Sequence, residues 1–338
     1  MTVYLSSDFQ EKIAQSGVGR ALEHQKMALE AAGVPFTLDE SDDFDLIHLN
    51  TIFPKSFFKA MKARREGKAV VYHAHSTAED FQNSFFFSNM LTPAFKWWIS
   101  KCYSTADLIL TPSEYSKSLI ENYHLNRPIR VISNGIDLPF WQASESEKKA
   151  LREHFKLSEG TPLVISAGLQ IKRKGILDFI ELARQMPDIQ FIWFGYTDPK
   201  LLDRELRAAI HTKLDNLTFA GYVDRDVLRV AYQICDLYLF PTYEETEGIV
   251  LLEALASKAP TLVRNIPVFS DYEDGEHLYK AVTLDDFKDK IRKIVSGQLP
   301  DLTNQGYIKV TEKSIPRIGE ELRECYHYAL RLAEERNV

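Results

Sequence analysis

The sequence predicts an α/β protein of two doubly wound halves, each a parallel sheet covered by helices. Three observations predict it. Short β-branched runs alternate with segments of helical periodicity along the whole chain. The length, 338 residues, suits two domains. A polar, charge-rich segment at 142–159 separates two stretches that follow the same logic.

In the first half, strands are expected at 3–5, 46–49, 69–73, 108–110 and 130–132. Helices are expected between them at 18–32, 54–66, 93–104 and 114–123. The strand after Arg127-Pro128 ends in Ser133-Asn134-Gly135-Ile136-Asp137, near the close of the first domain. The second half has expected strands at 163–166, 190–194, 217–219, 237–240 and 261–263. Its interleaved helices fall at 177–185, 201–212, 224–233 and 249–257, with Asp224 a credible N-cap. The stretch 316–335 carries Ile318, Leu322, Tyr326 and Leu330 at near-helical steps and reads as one amphipathic helix. The expected domains are 1–140 and 141–313, with a helix at 314–338 packing back on the first. Two such halves imply a cleft between them, and doubly wound sheets bind ligands at the carboxyl ends of their strands.

Composition narrows the classes. A net charge of −7 provides no overall positive field for phosphate backbones, so general nucleic-acid binding is not expected. Cys102, Cys235 and Cys325 are far apart and lack metal-ligand spacing, which suits buried, reduced thiols of a cytoplasmic protein. Met1-Thr-Val-Tyr-Leu5 reads as a strand, not a signal peptide. No run of about 18 apolar residues occurs, so membrane contact would be peripheral.

The motif richest in chemistry is Glu245-x7-Glu253, with Gly248 between the two acids. A strand-like run and Pro241 lead into it, and Ile249, Leu252, Leu255 and Ala256 follow at helical spacing. Glu245 therefore belongs to a loop and Glu253 lies more than one turn inside a helix whose N-terminus favours an anion. Two acids that grip hydroxyls beside an anion site suit a sugar nucleotide. Glu253 is flanked by apolar residues, whereas Glu244 and Glu247 read as surface acids.

Upstream, Gly168-Leu-Gln-Ile-Lys172-Arg173-Lys174-Gly175 sits between a strand and a helix. Its three cations can neutralise the pyrophosphate that leaves when a glycosyl bond to UDP breaks. The bland reading is a solvated basic turn. Ser16-Gly17-Val18-Gly19 opens a helix, where glycine permits close approach to a phosphate; a plain loop-to-helix turn explains it equally. His73-Ala-His75 ends a strand, and a neutral His75 would suit a sugar hydroxyl, against the alternative of a satisfied strand-end histidine. No metal site is expected, since no acid or cysteine falls at ligand spacing from these histidines. Asp42-Asp43-Phe44-Asp45 precedes a strand at its amino end and reads as a solvated turn.

Taken in order, Gly17-x-Gly19, His75, Ser113-x-x-Ser116-Lys117, Asn134-Gly135-x-Asp137, Lys174-Gly175 and Glu245-x7-Glu253 form a specific series. It resembles the family-4 retaining glycosyltransferases of the GT-B fold, with two Rossmann-like domains facing a central cleft. The stretches from Lys55 to Lys68, His73 to Asp80 and Arg173 to Gly175 are similar to bacterial diacylglycerol glycolipid synthases. The nearest likeness is to the type that adds a second hexose to monoglucosyl-diacylglycerol. The resemblance implies a UDP-hexose donor, glucose or galactose, and no cofactor or metal. It implies Lys174 and Arg173 on the diphosphate, Glu253 on the ribose and Glu245 on the donor sugar. Gly17 and Gly19 would lie near the phosphates, Gly248 at the nucleotide-binding helix start, and His75 on the sugar's primary hydroxyl. One position departs: Leu169 stands where the family usually has arginine, so either Arg173 or Lys172 takes over that charge or phosphate binding is weaker than is usual in the family.

The acceptor side has its own signal. Segment 54–68 holds six cations and one acid, with Phe57, Phe58 and Met61 at helical spacing. Phe81, Phe85, Phe86, Phe87, Phe95, Trp97 and Trp98 follow within 81–98. Cations beside aromatics suit peripheral contact with the anionic inner face of the cell membrane, where a lipid-linked sugar would be reached. An ordinary packed helix with solvated lysines is the competing reading of 54–68. Two alternatives of function remain at this level: a soluble enzyme of the same fold acting in capsule or polysaccharide synthesis, and an inactive sugar-nucleotide-binding module.

Overall fold

The computed structural model describes residues 1–6, 8, 17–84, 87–158 and 160–337. The chain folds as two compact units. The first comprises Met1–Phe81, Met90–Asp137 and Lys313–Val338; the second comprises Gln82–Asn89 and Leu138–Glu312.

The first unit begins with β1 (Val3–Ser6), α1 (Gly17–Ala31), β2 (Phe36–Thr37) and β3 (Leu46–Leu49). It continues through α2 (Pro54–Arg65), β4 (Ala69–His73), α3 (Ala78–Phe81) and α4 (Ser88–Tyr103). β5 (Leu108–Thr111), α5 (Glu114–Glu121) and β6 (Ile129–Val131) complete the sheet. All strands are parallel, in the order β2-β1-β3-β4-β5-β6. Parallel strands covered on both faces are mostly apolar, and β1, β3, β4 and β5 are buried at every position, including the polar Ser6, His48, His73 and Thr111.

The second unit contains α6 (Glu145–His154), β7 (Leu163–Ala167), α7 (Ile176–Gln185) and β8 (Gln190–Phe194). Next come α8 (Arg204–Ala209), β9 (Leu217–Gly221), α9 (Arg225–Ile234), β10 (Leu237–Phe240) and α10 (Ile249–Ala256). β11 (Thr261–Arg264), β12 (Tyr279–Ala281), α11 (Leu284–Val295) and α12 (Thr303–Thr311) follow. Its sheet is also parallel, ordered β12-β11-β10-β7-β8-β9. Phe179, Leu182, Phe191, Trp193, Leu237, Leu239 and Phe287 anchor the core of this unit.

The last helix, α13 (Ile315–Asn337), returns to the first unit. Its Ile318, Leu322, Tyr326, Ala329 and Ala333 share one buried cluster with Leu22, Ala28 and Leu29 of α1. Its end is tied down by Arg336, which donates to both oxygens of Asp107 at 2.6 Å.

Several elements differ from expectation. The helix expected at 201–212 is a 3₁₀ turn at Pro199–Leu201 followed by α8, because the Asp203 carboxylate accepts from Leu206 N at 2.9 Å and starts a new helix. α4 begins at Ser88, so Pro93 lies inside it instead of opening it. Asp224 occupies its N-cap position without a side-chain capping bond. β2 and β12 are too short to leave a periodic signal. The three cysteines are buried and form no disulfide. Among the described residues no helix is long and apolar enough to cross a membrane.

Candidate active site

In the second sheet β8 and β9 lie to one side of β7, and β11 and β12 to the other side of β10. Chain order reverses between β7 and β10, which splays the two following loops apart and opens a crevice at the carboxyl ends. Those loops carry the cationic segment and the Glu245–Gly248 segment.

Lys172–Lys174 forms a single 3₁₀ turn closed by Gly175. Gly175 has φ +77°, and a Cβ there would lie 2.2 Å from the Pro241 carbonyl oxygen. Only glycine lets the two loops meet this closely. The contact is then fastened: Tyr243 N donates to Arg173 O at 2.8 Å, and an Arg173 guanidinium nitrogen donates to Glu244 O at 2.7 Å. From the other side, Arg264 Nε donates to Pro241 O at 3.1 Å and Tyr243 Oη to Asp178 at 2.7 Å.

The Lys174 ammonium ion-pairs with Glu245 Oε1, and Thr242 Oγ1 donates to the same oxygen at 2.9 Å. Arg173 approaches Glu245 Oε2 at 3.9 Å and also receives the Ser84 hydroxyl as acceptor at 3.0 Å from Nε. Glu245 is 5% exposed. Burial by itself would raise its carboxyl pKa, but the Lys174 and Arg173 charges and the hydrogen bonds outweigh it and hold the group below its ordinary value. The result is a buried, ionised carboxylate against two cations.

Two neighbours depart from expectation. Lys172 does not join this cluster; it pairs with Asp203 at 2.8 Å and with Glu205. Of the two cations offered as substitutes for the charge missing at Leu169, only Arg173 faces Glu245. Glu247, expected at the surface, is buried.

Gly248 starts α10 at φ +84°, and no side chain caps that helix. Glu253 is its fifth residue and is 3% exposed. The Tyr232 hydroxyl, which donates to Val250 O at 3.2 Å, lies 3.5 Å from Glu253 Oε2. Glu245 is thus held against cations, whereas Glu253 has the Tyr232 hydroxyl beside it.

In the first unit the order reverses between β1 and β3. Gly17 and Gly19 form the first turn of α1, with Gly19 buried; Ser16 lies outside the described residues. His75 follows β4, next to β3, and its Nε2 lies 2.9 Å from Asn50 Oδ1. Its ring stacks on His73 at 4.2 Å, and His73 stacks on His48 at 5.5 Å. Burial drives the His75 and His48 pKa values down to about 3, and His73 moves well down as well. All three imidazoles are neutral. They stack instead of converging, and among the described residues no three His, Cys, Asp or Glu could hold a metal ion.

On segment 54–68 the structure revises the picture of free positive charge. Lys55 and Lys59 pair with Asp8, Lys59 and Lys62 with Glu40, Arg64 with Asp107, and Lys68 with Asp43. Exposed apolar groups stand nearby: Phe53 and Phe58 on the α2 side, Met90, Leu91 and Trp97 on α4. Phe57 links them, 5.6 Å from both Phe58 and Trp98. Phe85 and Phe86 lie outside the described residues.

Sequence reasoning missed Thr242, Ser84, Asn50 and Gln25. Asn50 alone left a trace, since it directly follows an expected strand at its carboxyl end.

Sheet order, glycine-closed loop and the charged trio around Glu245 define a doubly wound α/β domain of the class that binds its ligand in a crevice at the carboxyl ends of the strands. Comparison with known proteins narrows this. The model for glycosyl transferases group 1 matches residues 147–309, and that for glycosyltransferase family 4 matches 17–140. The processive diacylglycerol alpha-glucosyltransferase of Acholeplasma laidlawii is 40% identical, over 98% of this chain and 99% of that protein. The alpha-galactosylglucosyldiacylglycerol synthase of Streptococcus pneumoniae is 26% identical over 79% of this chain and 73% of its own length. Among solved structures, sucrose-phosphate synthase from Thermosynechococcus elongatus superposes with a TM-score of 0.80 at 17% identity, covering 97% and 98% of the two chains. HepE of Anabaena, solved with UDP and glucose, superposes at 0.74 with 16% identity, covering 96% and 98%. The chain belongs to the family-4, group 1 glycosyltransferases, retaining enzymes of the GT-B fold.

Proposed function

We propose that this glycosyltransferase moves glucose from UDP-glucose to diacylglycerol and then to the monoglucosyl product, giving α-linked glucosyl-diacylglycerols. The observation that carries this reading is the 40% identity, end to end, with a processive diacylglycerol alpha-glucosyltransferase.

The bond from the anomeric carbon to the UDP oxygen breaks, and a bond to the acceptor hydroxyl oxygen forms on the same face. The departing phosphate takes the acceptor's proton. Charge grows on that phosphate, so preorganised cations in a buried setting lower the barrier most. Lys174 and Arg173 fill this role, and Glu245 holds them in place and contacts the donor sugar. Glu253 accepts from the ribose hydroxyls, with the start of α10 at Gly248 near the diphosphate, as are Gly17 and Gly19. A neutral His75 receives the sugar's primary hydroxyl.

The enzyme meets its lipid acceptor as a peripheral protein. The pairing of α2's cations and the exposure of Phe58 at 67% and Trp97 at 61% favour an aromatic wedge over a purely electrostatic contact. To test the function, the protein is incubated with UDP-glucose or UDP-galactose and vesicles containing diacylglycerol or its monoglucoside. Mono- and diglucosyl products with α linkages are expected from UDP-glucose. Transfer only from UDP-galactose, or only to a water-soluble acceptor, would overturn it.

A further inference from the structure

Behind His75 lies a hydrogen-bonded chain of uncharged side chains. Gln25 of α1 donates from Nε2 to Asn50 Oδ1 at 2.8 Å and to His73 Nδ1 at 3.0 Å. Asn50 Oδ1 therefore faces two nitrogens, Gln25 Nε2 and His75 Nε2. An amide oxygen only accepts, so both nitrogens must carry the hydrogen. That places the His75 proton on Nε2 and leaves its Nδ1 as a lone-pair acceptor.

The support under this chain is rigid. Asn50 is 3% exposed, Gln25 2% and His73 2%. The backbone just past Asn50 is pinned, with Thr51 O accepting from Tyr72 Oη at 2.6 Å and Ile52 O from Trp98 Nε1 at 2.7 Å. His48, behind His73, meets the Tyr326 hydroxyl at 2.7 Å. Three parallel rings, His75 on His73 on His48, keep the first imidazole from rotating. Asn50 Nδ2 and Gln25 Oε1 have no hydrogen-bond partner among the described residues, so the two amides set the polarity of the chain together.

We propose that Asn50, oriented by Gln25, is a positioning residue that fixes His75 in the Nε2–H tautomer, so that Nδ1 accepts a hydrogen bond from a hydroxyl of the donor sugar. The catalytic half of this statement rests on the placement of His75 at the donor sugar; the tautomer does not. The reverse polarity would require both amides to be turned together and His75 to carry its proton on Nδ1.

The test is ¹⁵N NMR of histidine-labelled protein, read with steady-state kinetics. In the wild type, His75 is expected as a single neutral Nε2–H tautomer at pH 7.5. Asn50→Ala removes the acceptor, so the ring should redistribute toward Nδ1–H, with kcat down about tenfold, the worth of one hydrogen bond, and the KM for UDP-glucose unchanged. Asn50→Asp keeps an acceptor at the same place and should restore both the tautomer and most of kcat at pH 8.5. A wild-type Nδ1–H signal, or an Asn50→Ala variant that keeps a pure Nε2–H ring, would overturn the proposal. His75→Ala with wild-type turnover would remove the catalytic half and the sugar contact together, whatever the spectra show.

Discussion

The two units hold their polar residues in opposite ways. In the second, the buried Glu245 is an ion paired with two cations, the buried Arg173 and the partly exposed Lys174. In the first, β3, β4, the residues just past them and α1 bring together neutral groups: the buried Asn50, Gln25, His48 and His73 and the partly exposed His75. All three histidines are shifted toward the unprotonated form. A cation in a low-dielectric setting gains most when negative charge grows beside it. Neutral donors and acceptors discriminate hydroxyls by the cost of leaving a buried group unpaired. The two units thus offer two kinds of electrostatics, charged in one and neutral in the other.

The strongest way to break this comparison is at Lys174. Lys174→Met should lower kcat/KM by about 10²–10³-fold, as loss of a preorganised charge does. It should also destabilise the protein by up to about 3 kcal/mol, because Glu245 is left buried with only the more distant Arg173 as an ion-pair partner. The double variant Lys174→Met, Glu245→Met should regain most of that stability in urea unfolding and none of the activity. A single variant with near-normal kcat/KM would remove the charged role from this unit.

Acid should separate the two units next. His48, His73 and His75 have folded pKa values far below the ordinary value of about 6.5. Below that pH the unfolded chain binds protons that the folded chain does not, so their contribution is present above it and lost as pH falls toward about 3. Between pH 7.5 and 5.5 the three together should cost up to about 4 kcal/mol. Glu245 is also depressed, but its contribution is lost only below the ordinary carboxylate range. Urea midpoints that stay flat from pH 7.5 to 5.5 would contradict a neutral histidine stack. His73→Gln should lessen the slope.

Gly175→Ala addresses the loop contact itself. The φ of +77° and the 2.2 Å approach to Pro241 O should together cost about 2–4 kcal/mol and lower activity with it. Thermal unfolding that matches the wild type would show that the two loops need not meet so closely. The smallest effect is expected at the membrane face. Trp97→Ser should weaken binding to anionic vesicles about tenfold, by removal of one exposed aromatic anchor. Neutralising Lys62, already paired with Glu40, should change it less. The opposite ranking would favour the electrostatic contact.

Much of this was legible in the chain. The alternation of β-branched runs and helices located ten of the strands, because strands covered by helices are mostly apolar and their short runs stand out between helical patterns. Glu253 could be recognised as a buried acid because every other residue of α10 is apolar, and a helix apolar all round is buried. Gly175 and Gly248 stood out as helix starts, and both take positive φ.

What the sequence by itself determined, then, is the pair of doubly wound sheets and the family motifs at the ends of their strands, because periodicity and backbone chemistry are local. Only the tertiary structure decided which charges act. Lys172 and Lys174 are two residues apart, but one 3₁₀ turn rotates them about 240° from each other, sending one to Asp203 and the other to Glu245. Segment 54–68 is basic in the chain and largely neutralised in the fold, by acids from Asp8 to Asp107. Asn50 and Gln25 carry no motif, for a hydrogen-bond network between separate strands and a helix exists only once the sheet is assembled. Electrostatics depends on distance in space, and the sequence records distance only along the chain.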